Sequence, residues 1–480
     1  MSVKENRATL AAEEPLLKKK AFEFPHVFVV MFSMMVIALI MTYLIPSGTY
    51  ARVVNEATGR RVVDPSTFQY IDKKYLNPLK LLPFITEGLI QAAMVSFSVF
   101  IMGGMWAVIN ETGTIGVAIG NIAKKLKGRE LLVFPMLMFV FAVVAAFIGA
   151  AELSIVYLPA IMPLMLMMGY DNVTAAAAVL CGLFGSFSAS LTNPMSVGIA
   201  HQITGLPLYS GVKLRLVLNI CYFIIGVFFV SRYAKKVKEN PRASVAYDEW
   251  QEYKAGHQLN VDVIPERKHA VIGGVILAGF VLLVWGVLTQ GWYMNEINGI
   301  FISIAFFSGL LTRMRLTTIC RVFASGAGGV FAAAVTSGLA RAILIILESG
   351  IVIDTVIHAL VAGAMFLPRA LSILGVYIAQ LLFNFVVPSA SGQQLITIPI
   401  LSPMAELLGL QQQCIVLASQ LGDGITNICF PTNGGMMAVI AMAGVPFNKW
   451  FKFIMPYVWM LVLVGGIFLV GAQAAGWGPF

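Results

Sequence analysis

Two apolar stretches 240 residues apart carry the same interruptions. Gly149–Gly169 reads GAAELSIVYLPAIMPLMLMMG, and Ser389–Gly409 reads SASGQQLITIPILSPMAELLG. Without a gap, Pro159 and Pro163 fall on Pro399 and Pro403, and Gly169 falls on Gly409. Extended to 149–194 against 389–434, the register gives eight identities, including Gly182 with Gly422 and Thr192-Asn193 with Thr432-Asn433. A chain that repeats a long, bent, apolar module must give both copies a similar environment.

Composition says which environment. The chain has 480 residues, 59% of them hydrophobic and 11% charged, against roughly 25% charged in soluble domains. It also holds many apolar runs of about 18 residues or more. A soluble fold needs more polar surface than this. The expectation is an all-α polytopic membrane protein. The net charge of +9 does not point to nucleic acid, because the basic residues cluster in short loops between apolar runs. Cys181, Cys221, Cys320, Cys414 and Cys429 lie in or beside apolar runs without disulfide or metal spacing, as small core residues do.

We read spans at 26–46, 87–110, 173–206, 216–232, 269–289, 297–313, 322–346, 410–446 and 454–474, about nine transmembrane helices. Residues 131–168 and 369–408 read as re-entrant hairpins, and the spans 173–206 and 410–446 as broken helices. Four segments follow: a tail 1–25; a first repeat 26–232 with an external loop 47–86; a linker 233–268; and 269–480, a linking helix and an inverted second repeat. Lys18–Lys20, Lys124–Arg129, the linker and Arg313–Arg321 are basic. If the hairpins do not cross, all fall on one side, which makes the N-terminus, and the linker, cytoplasmic. The spans 87–110 and 322–346 end in Glu111-Thr112-Gly113 and Glu348-Ser349-Gly350. An odd number of crossings separates them, so the second copy is expected upside down, as in secondary transporters.

Each repeat has two interruptions. The hairpin tips are Gly149–Glu152 and Pro388–Gln394; the helix breaks are GSFSASLTNP (Gly185–Pro194) and GDGITNICFPTNGG (Gly422–Gly435). Unwound backbone is tolerated in a bilayer only where protein buries it or it lines a wet cavity. Ser, Thr, Asn and Gly suit such a cavity, since their oxygens and amides can replace water around a solute. The candidate contacts are Glu152, Ser188, Ser190, Thr192 and Asn193 in the first copy. In the second they are Ser389, Ser391, Gly392, Gln393, Asp423, Thr426, Asn427, Thr432 and Asn433, with Asn384 ahead of the tip. Any one Ser or Thr can equally bond back to its own helix. Arg341, in GLARAIL, is either a charge facing the interior or a snorkelling one. His201 reads as a packed helix residue. Ser391 and Gln394 have the spacing of a capping box.

The motifs LIPSGTYAR, VVPSASGQQLITIPILSPMAELLG and GDGITNICFPTNGGMMAVIAMAGVPFNKW resemble the YfcC family. That family stands in the anaerobic C4-dicarboxylate carrier-like group of the ion transporter superfamily, beside the arginine/ornithine antiporters. The resemblance covers nearly the whole chain after residue 22. It implies a bacterial inner-membrane carrier with a scaffold and a transport domain, often a homodimer, moving by an elevator. Its site would lie where the tips and breaks meet, with Ser389, Ser391 and Gly392 at the tip and Asp423, Thr426, Asn427, Thr432 and Asn433 at the break. The superfamily's Ser-Asn-Thr tip triplet is missing here.

The residues themselves bear on the substrate. Glu152 and Asp423 add negative charge and Arg341 opposes it, which suits an amino acid, basic ones included, better than a dicarboxylate. Its carboxylate would meet the N–H groups near Ser391 and Gly392. Alternatively the two acids carry protons or sodium and the solute is an anion. A sodium ion would sit near Asn193 and Asn433. No organic cofactor and no nucleic-acid partner are expected, and no G-x-x-x-x-G-K-[ST] loop points to ATP. Tyr170-Asp171 with Gly422-Asp423 faintly resembles an intramembrane protease pair, but Asp171 sits in a turn; an enzyme is not expected.

Overall fold

The computed structural model describes residues 27–54, 61–114, 117, 130–147, 153–256, 266–290, 292, 294–365 and 371–478. The first hairpin tip, with Glu152, lies outside the described residues. Among the described residues the chain forms nineteen α-helices and four short strands. Five helices are long and apolar enough to cross a membrane: Ala93–Glu111, Val212–Glu239, Met294–Leu311, Phe331–Ser349 and Phe447–Ala474.

The repeated modules fold alike. In the first, α4 (Val133–Phe147) and α5 (Leu153–Met167) precede α6 (Asn172–Ser188), a break, a π turn at Pro194–Gly198 and α7 (Ile199–Thr204). The second has α15 (Ser372–Phe383), α16 (Ala390–Leu408), α17 (Gln412–Thr426), a break, and α18 (Gly434–Met442). Gly169 (φ 84°) and Gly409 (φ 65°) follow α5 and α16 in the left-handed region, which costs glycine little. Asn193 and Asn433 hold matching roles after the breaks: each side-chain oxygen accepts a backbone N–H, from Met195 (2.9 Å) and Met436 (2.8 Å). The helices run through the paired prolines.

The two broken helices run antiparallel, each starting where the other ends. Asn172 Nδ2 at the start of α6 donates to Ala443 O just past α18 (2.8 Å). Gln413 Nε2 at the start of α17 donates to Ser210 Oγ, beyond α7. They cross where α17 meets the end of α6. A Cβ on Gly424 would lie 2.6 Å from Ser188 Oγ and closer still to Ser188 Cα. The matched glycines Gly182 and Gly422 let the earlier helices α4 and α15 approach, Gly182 against Met138 of α4 and Gly422 against Gln380 of α15.

Four further helices pair reciprocally: α2 (Leu81–Gln91) with α13 (Phe331–Ser349), and α3 (Ala93–Glu111) with α12 (Leu316–Gly329). Gly88 abuts Gly338 O, and Gly103 abuts Gly326 O. The sequence reading expects single spans at 87–110 and 322–346. Each is instead split, at Ala92 (φ −92°, ψ 7°) and Val330 (φ −104°, ψ 15°). No proline or polar run marks these joints, because the hydrogen-bond ladder continues across them: Ala92 N donates to Gly88 O at 2.9 Å.

Two 28-residue helices, α8 (Val212–Glu239) and α19 (Phe447–Ala474), stand beside the broken helices. Helix α8 extends seven residues into the expected linker. The linker is tied down: Asp171, which caps α6, also accepts hydrogen bonds from Tyr233 (2.7 Å) and Ser244 (2.5 Å). That commits its oxygens to structure. The loop after α1 (Val27–Leu44) forms two small ribbons, Gly48–Thr49 with Gln69–Tyr70 and Arg52–Val54 with Arg61–Val63. Asp354 of α14 (Ile353–Met365) holds them through a two-pronged Arg52 pair (2.5 and 2.8 Å) and Tyr50 N (2.9 Å). Burial, then the Asp354 charge, pushes the Tyr50 hydroxyl up to about 12; this protonated hydroxyl shares a hydrogen bond with His358 Nδ1 (2.9 Å).

Gly424→Ala forces the crossing apart, and an overpacked contact of this kind costs about 1–3 kcal/mol. Gly273→Ala, on a helix face with nothing within 4 Å, is the matched control. Thermal unfolding of purified protein is expected to show a lower midpoint for the first and an unchanged or raised one for the second.

Candidate functional site

At the second break the polar side chains form a directed chain. The Met436 N–H can only donate, so Asn433 must face it with its oxygen, and its Nδ2 donates to Asn427 Oδ1 (3.0 Å). Asn427 Nδ2 then points to Asp423 Oδ1 (3.4 Å). Asn384, between the hairpin arms, presents Nδ2 to Asp423 O (3.0 Å), Thr426 Oγ1 (2.8 Å) and Asn427 Oδ1 (3.0 Å). Asp423 and Asn384 are wholly buried.

Ser389 caps α16, its Oγ accepting the Gly392 N–H at 3.3 Å. The expected capping box on Ser391 is therefore displaced by two residues, because Ser389 is the residue with extended backbone (φ −148°) that can turn its hydroxyl onto the first turn. Gln394, its supposed reciprocal partner, is buried, with neither amide atom engaged among the described residues. Gln393 donates instead to Gln380 Oε1 (2.5 Å) and Gln380 O (3.2 Å).

The first break leans on the end of α4. Leu191 N donates to Ala146 O (2.7 Å) and Thr192 Oγ1 to Phe147 O (3.2 Å). Ser188 Oγ bonds back to Phe184 O (2.6 Å), the local use open to any helix serine. Ser190 faces the other copy: Gln420 Nε2 donates to Ser190 O (2.8 Å) and Oγ (3.0 Å).

Behind Gln420 stands a residue the sequence reading passed over. Arg215 is wholly buried. It donates to Gln420 Oε1 (3.1 Å), Ser210 O (2.6 Å) and Gln413 Oε1 (3.4 Å), and lies 5.5 Å from the Trp477 ring. His201 packs against it at 3.4 Å, in keeping with a packed helix residue. Arg215 sits one position before the apolar run 216–232, where an interfacial charge is ordinary; only tertiary packing buries it. Arg341 is part-exposed and donates to Gln91 Oε1 of α2 (2.8 Å), while its helix neighbours Ser337 and Ala340 pack against Gly434.

The breaks also gather buried polar atoms without a protein partner among the described residues. These include Asn193 Nδ2 and Ser196 Oγ at the first, and Asn384 Oδ1, Gln393 Oε1, both Gln394 amide atoms and Thr432 Oγ1 around the second. Each such group costs about 1–3 kcal/mol if nothing answers it. The surface concavities lined by Tyr50 and Phe68, and by Phe229 and Tyr233, hold no such cluster.

The family model of the C4-dicarboxylate anaerobic carriers, DcuC, matches residues 24–474. The chain is 28% identical to YfcC of Escherichia coli (strain K12), which bears the provisional name of a basic amino acid antiporter, over 95% of this chain and 98% of that one. It is 25% identical to an uncharacterized protein of Haemophilus influenzae, over 94% and 97%. Among solved structures, the YdaH transporter of Alcanivorax borkumensis aligns with a TM-score of 0.41 at 16% identity, over 95% of this chain and 100% of that one. MtrF of Neisseria gonorrhoeae, described with a class of antimetabolite efflux pumps, aligns with a TM-score of 0.40 at 17% identity, over 94% and 95%.

Arg215→Met strands the Gln420 and Gln413 oxygens in a buried place, at a cost of about 2–4 kcal/mol. Arg341→Met removes one part-exposed contact and costs about 1 kcal/mol or less. Chemical unfolding of the purified variants is expected to rank them in that order.

Proposed function

Because the chain belongs to the C4-dicarboxylate anaerobic carrier family, we propose that it is a secondary transporter exchanging small carboxylate-bearing solutes, amino acids foremost, by alternating access. The observation that carries this reading is the crossing of two antiparallel broken helices at Ser188 and Gly424, with unanswered polar groups buried at both breaks. A solute that enters between them supplies the missing partners. Its departure leaves them unmet, so the loaded and empty sites have different energies, which a carrier needs.

The antiparallel contacts at Asn172–Ala443 and Gln413–Ser210 support an inverted repeat, in which the same site can be approached from either face. Asp423 at the second break suits the amino group of an amino acid, and the name of the Escherichia coli relative points to basic amino acids. The two tips and two breaks would move as a unit against the remaining helices in a bacterial inner membrane, with the N-terminus and linker inside and two copies side by side. The side-chain oxygens of Asn193 and Asn433, near which sodium is expected, each accept one backbone N–H, which leaves a single lone pair on each for an ion.

A second reading is a proton- or sodium-coupled C4-dicarboxylate carrier. The family description favours it, as does the buried cation Arg215. Counterflow in proteoliposomes separates the two. Vesicles loaded with unlabelled arginine are expected to accumulate labelled arginine, and those loaded with succinate are not expected to accumulate succinate. Uptake of succinate alone would turn the assignment to the dicarboxylate, and the absence of counterflow for either, or for other amino acids and carboxylates, would remove the carrier reading.

A further inference from the structure

We infer that the two breaks bind oppositely charged groups of the solute: the first, at Ser190, Asn193 and Ser196, receives the α-carboxylate, and the second, at Asp423, receives the α-ammonium group. This rests on the transport reading above and adds the polarity of the site.

The polarity follows from groups that cannot reverse their role. A guanidinium donates and never accepts. Arg215 therefore compels Gln420 to face it with its oxygen (3.1 Å), which turns the Gln420 nitrogen onto Ser190 O and Oγ (2.8 and 3.0 Å). The Ser190 hydroxyl, having accepted that bond, directs its own proton away from Gln420. Three residues on, the Met195 N–H holds Asn193 Oδ1 (2.9 Å), so Asn193 Nδ2 is turned outward, buried and without a partner among the described residues. Ser196 Oγ, three residues further, is buried and without a partner among the described residues. The first break thus offers donors. The nearby Arg215 adds a full positive charge whose bonded partners are neutral, with no ion pair to it among the described residues.

The second break has the opposite character, built from residues at other positions of the repeat. The Asn433–Asn427 relay delivers its donors inward and ends on the Asp423 carboxylate. Asn384 Oδ1, Gln393 Oε1 and Gln394 Oε1 are buried acceptors without partners among the described residues. Gln380 Nε2, Gln394 Nε2 and the Thr432 hydroxyl are exceptions on that side. In the repeat register Asn427 and Asp423 correspond to Phe187 and Leu183, so the first break has no copy of the acidic relay. Donors and positive charge suit a carboxylate; a carboxylate and carbonyl oxygens suit an ammonium group. The Gly392 N–H, the sequence-based choice for the carboxylate, is already held by Ser389 Oγ.

The test is an analogue cycle on the full chain in lipid nanodiscs. Equilibrium binding is measured for arginine, agmatine (no carboxylate), 5-guanidinopentanoate (no α-amine) and succinate. Asn193→Asp keeps the capping oxygen and removes the outward donor. Ser190→Ala keeps the Gln420 bond to the backbone carbonyl. Both are expected to bind arginine about tenfold or more weakly than wild type while agmatine changes by less than about threefold, the loss expected when one charge-assisted bond is missing. Asp423→Asn is expected to weaken arginine by a similar factor and leave 5-guanidinopentanoate unchanged. Gln420→Glu, which retains an acceptor for Arg215 but reverses the bond to Ser190, is expected to shift the arginine-to-agmatine ratio as Ser190→Ala does. If arginine binds wild type but the first-break variants lose arginine and agmatine equally, the polarity assignment fails and the carrier reading stands. Binding of succinate but not arginine overturns the cationic pole together with the amino-acid reading. Binding of none of the four overturns both proposals.

Discussion

An interrupted helix surrounded by apolar residues exposes peptide N–H and C=O groups that only protein or a bound solute can answer. The architecture of this chain follows from that requirement. At the first break, Ala146 O takes the Leu191 N–H, and Asn219 of α8 donates to Ser186 O (2.9 Å) and Ala189 O (3.2 Å). At the second, Asn384 reaches Asp423 O, and Trp450 of α19 donates to Ile428 O (2.9 Å). Each break thus draws on the end of an earlier helix and on a long outer helix. These helices stand where the breaks need partners, so the breaks and the packing around them have one cause.

Glycine makes the close approach possible. Gly182 and Gly422 bring α4 and α15 onto the broken helices, and Gly424 lets α17 rest on Ser188. With apolar surroundings, helices gain little from hiding apolar side chains and much from contact and interhelical hydrogen bonds. Small residues at crossings and amides between helices are the matching chemistry. The same economy appears on the outer pairs, where Gly88 and Gly338, and Gly103 and Gly326, allow backbone to meet backbone.

The two copies agree in backbone and differ in chemistry. Asn193 and Asn433 cap alike, and Gly169 and Gly409 turn alike. Yet the positions that build an acidic relay in one copy hold phenylalanine and leucine in the other. On the transport reading proposed above, a site shared by the two copies needs this divergence to hold a solute that carries both charges. The exchange of neutral backbone symmetry for polar asymmetry happens within a few side chains, and Arg215, outside both breaks, sets the sense of one of them through Gln420.

The order of elements was legible in the sequence wherever a residue type has a local reason for its place. Paired prolines, the glycines after α5 and α16, and the asparagines after the breaks located the modules to within a few residues, because turns and caps are decided by neighbours along the chain. The breaks after α6 and α17 were legible for the same reason: Ser, Thr and Asn inside apolar runs stand out. The joints at Ala92 and Val330 were not, since a helix can step there without losing its ladder. Nor were Arg215, Gln420 and Gln394, whose roles come from burial between segments some two hundred residues apart. The cap on Ser389 rather than Ser391 turned on one backbone angle. Residue types chosen for local geometry can be read in a line. Which polar atom faces which partner, and which is left unanswered, was decided only when the two copies crossed, because a hydrogen bond's direction depends on the group across from it.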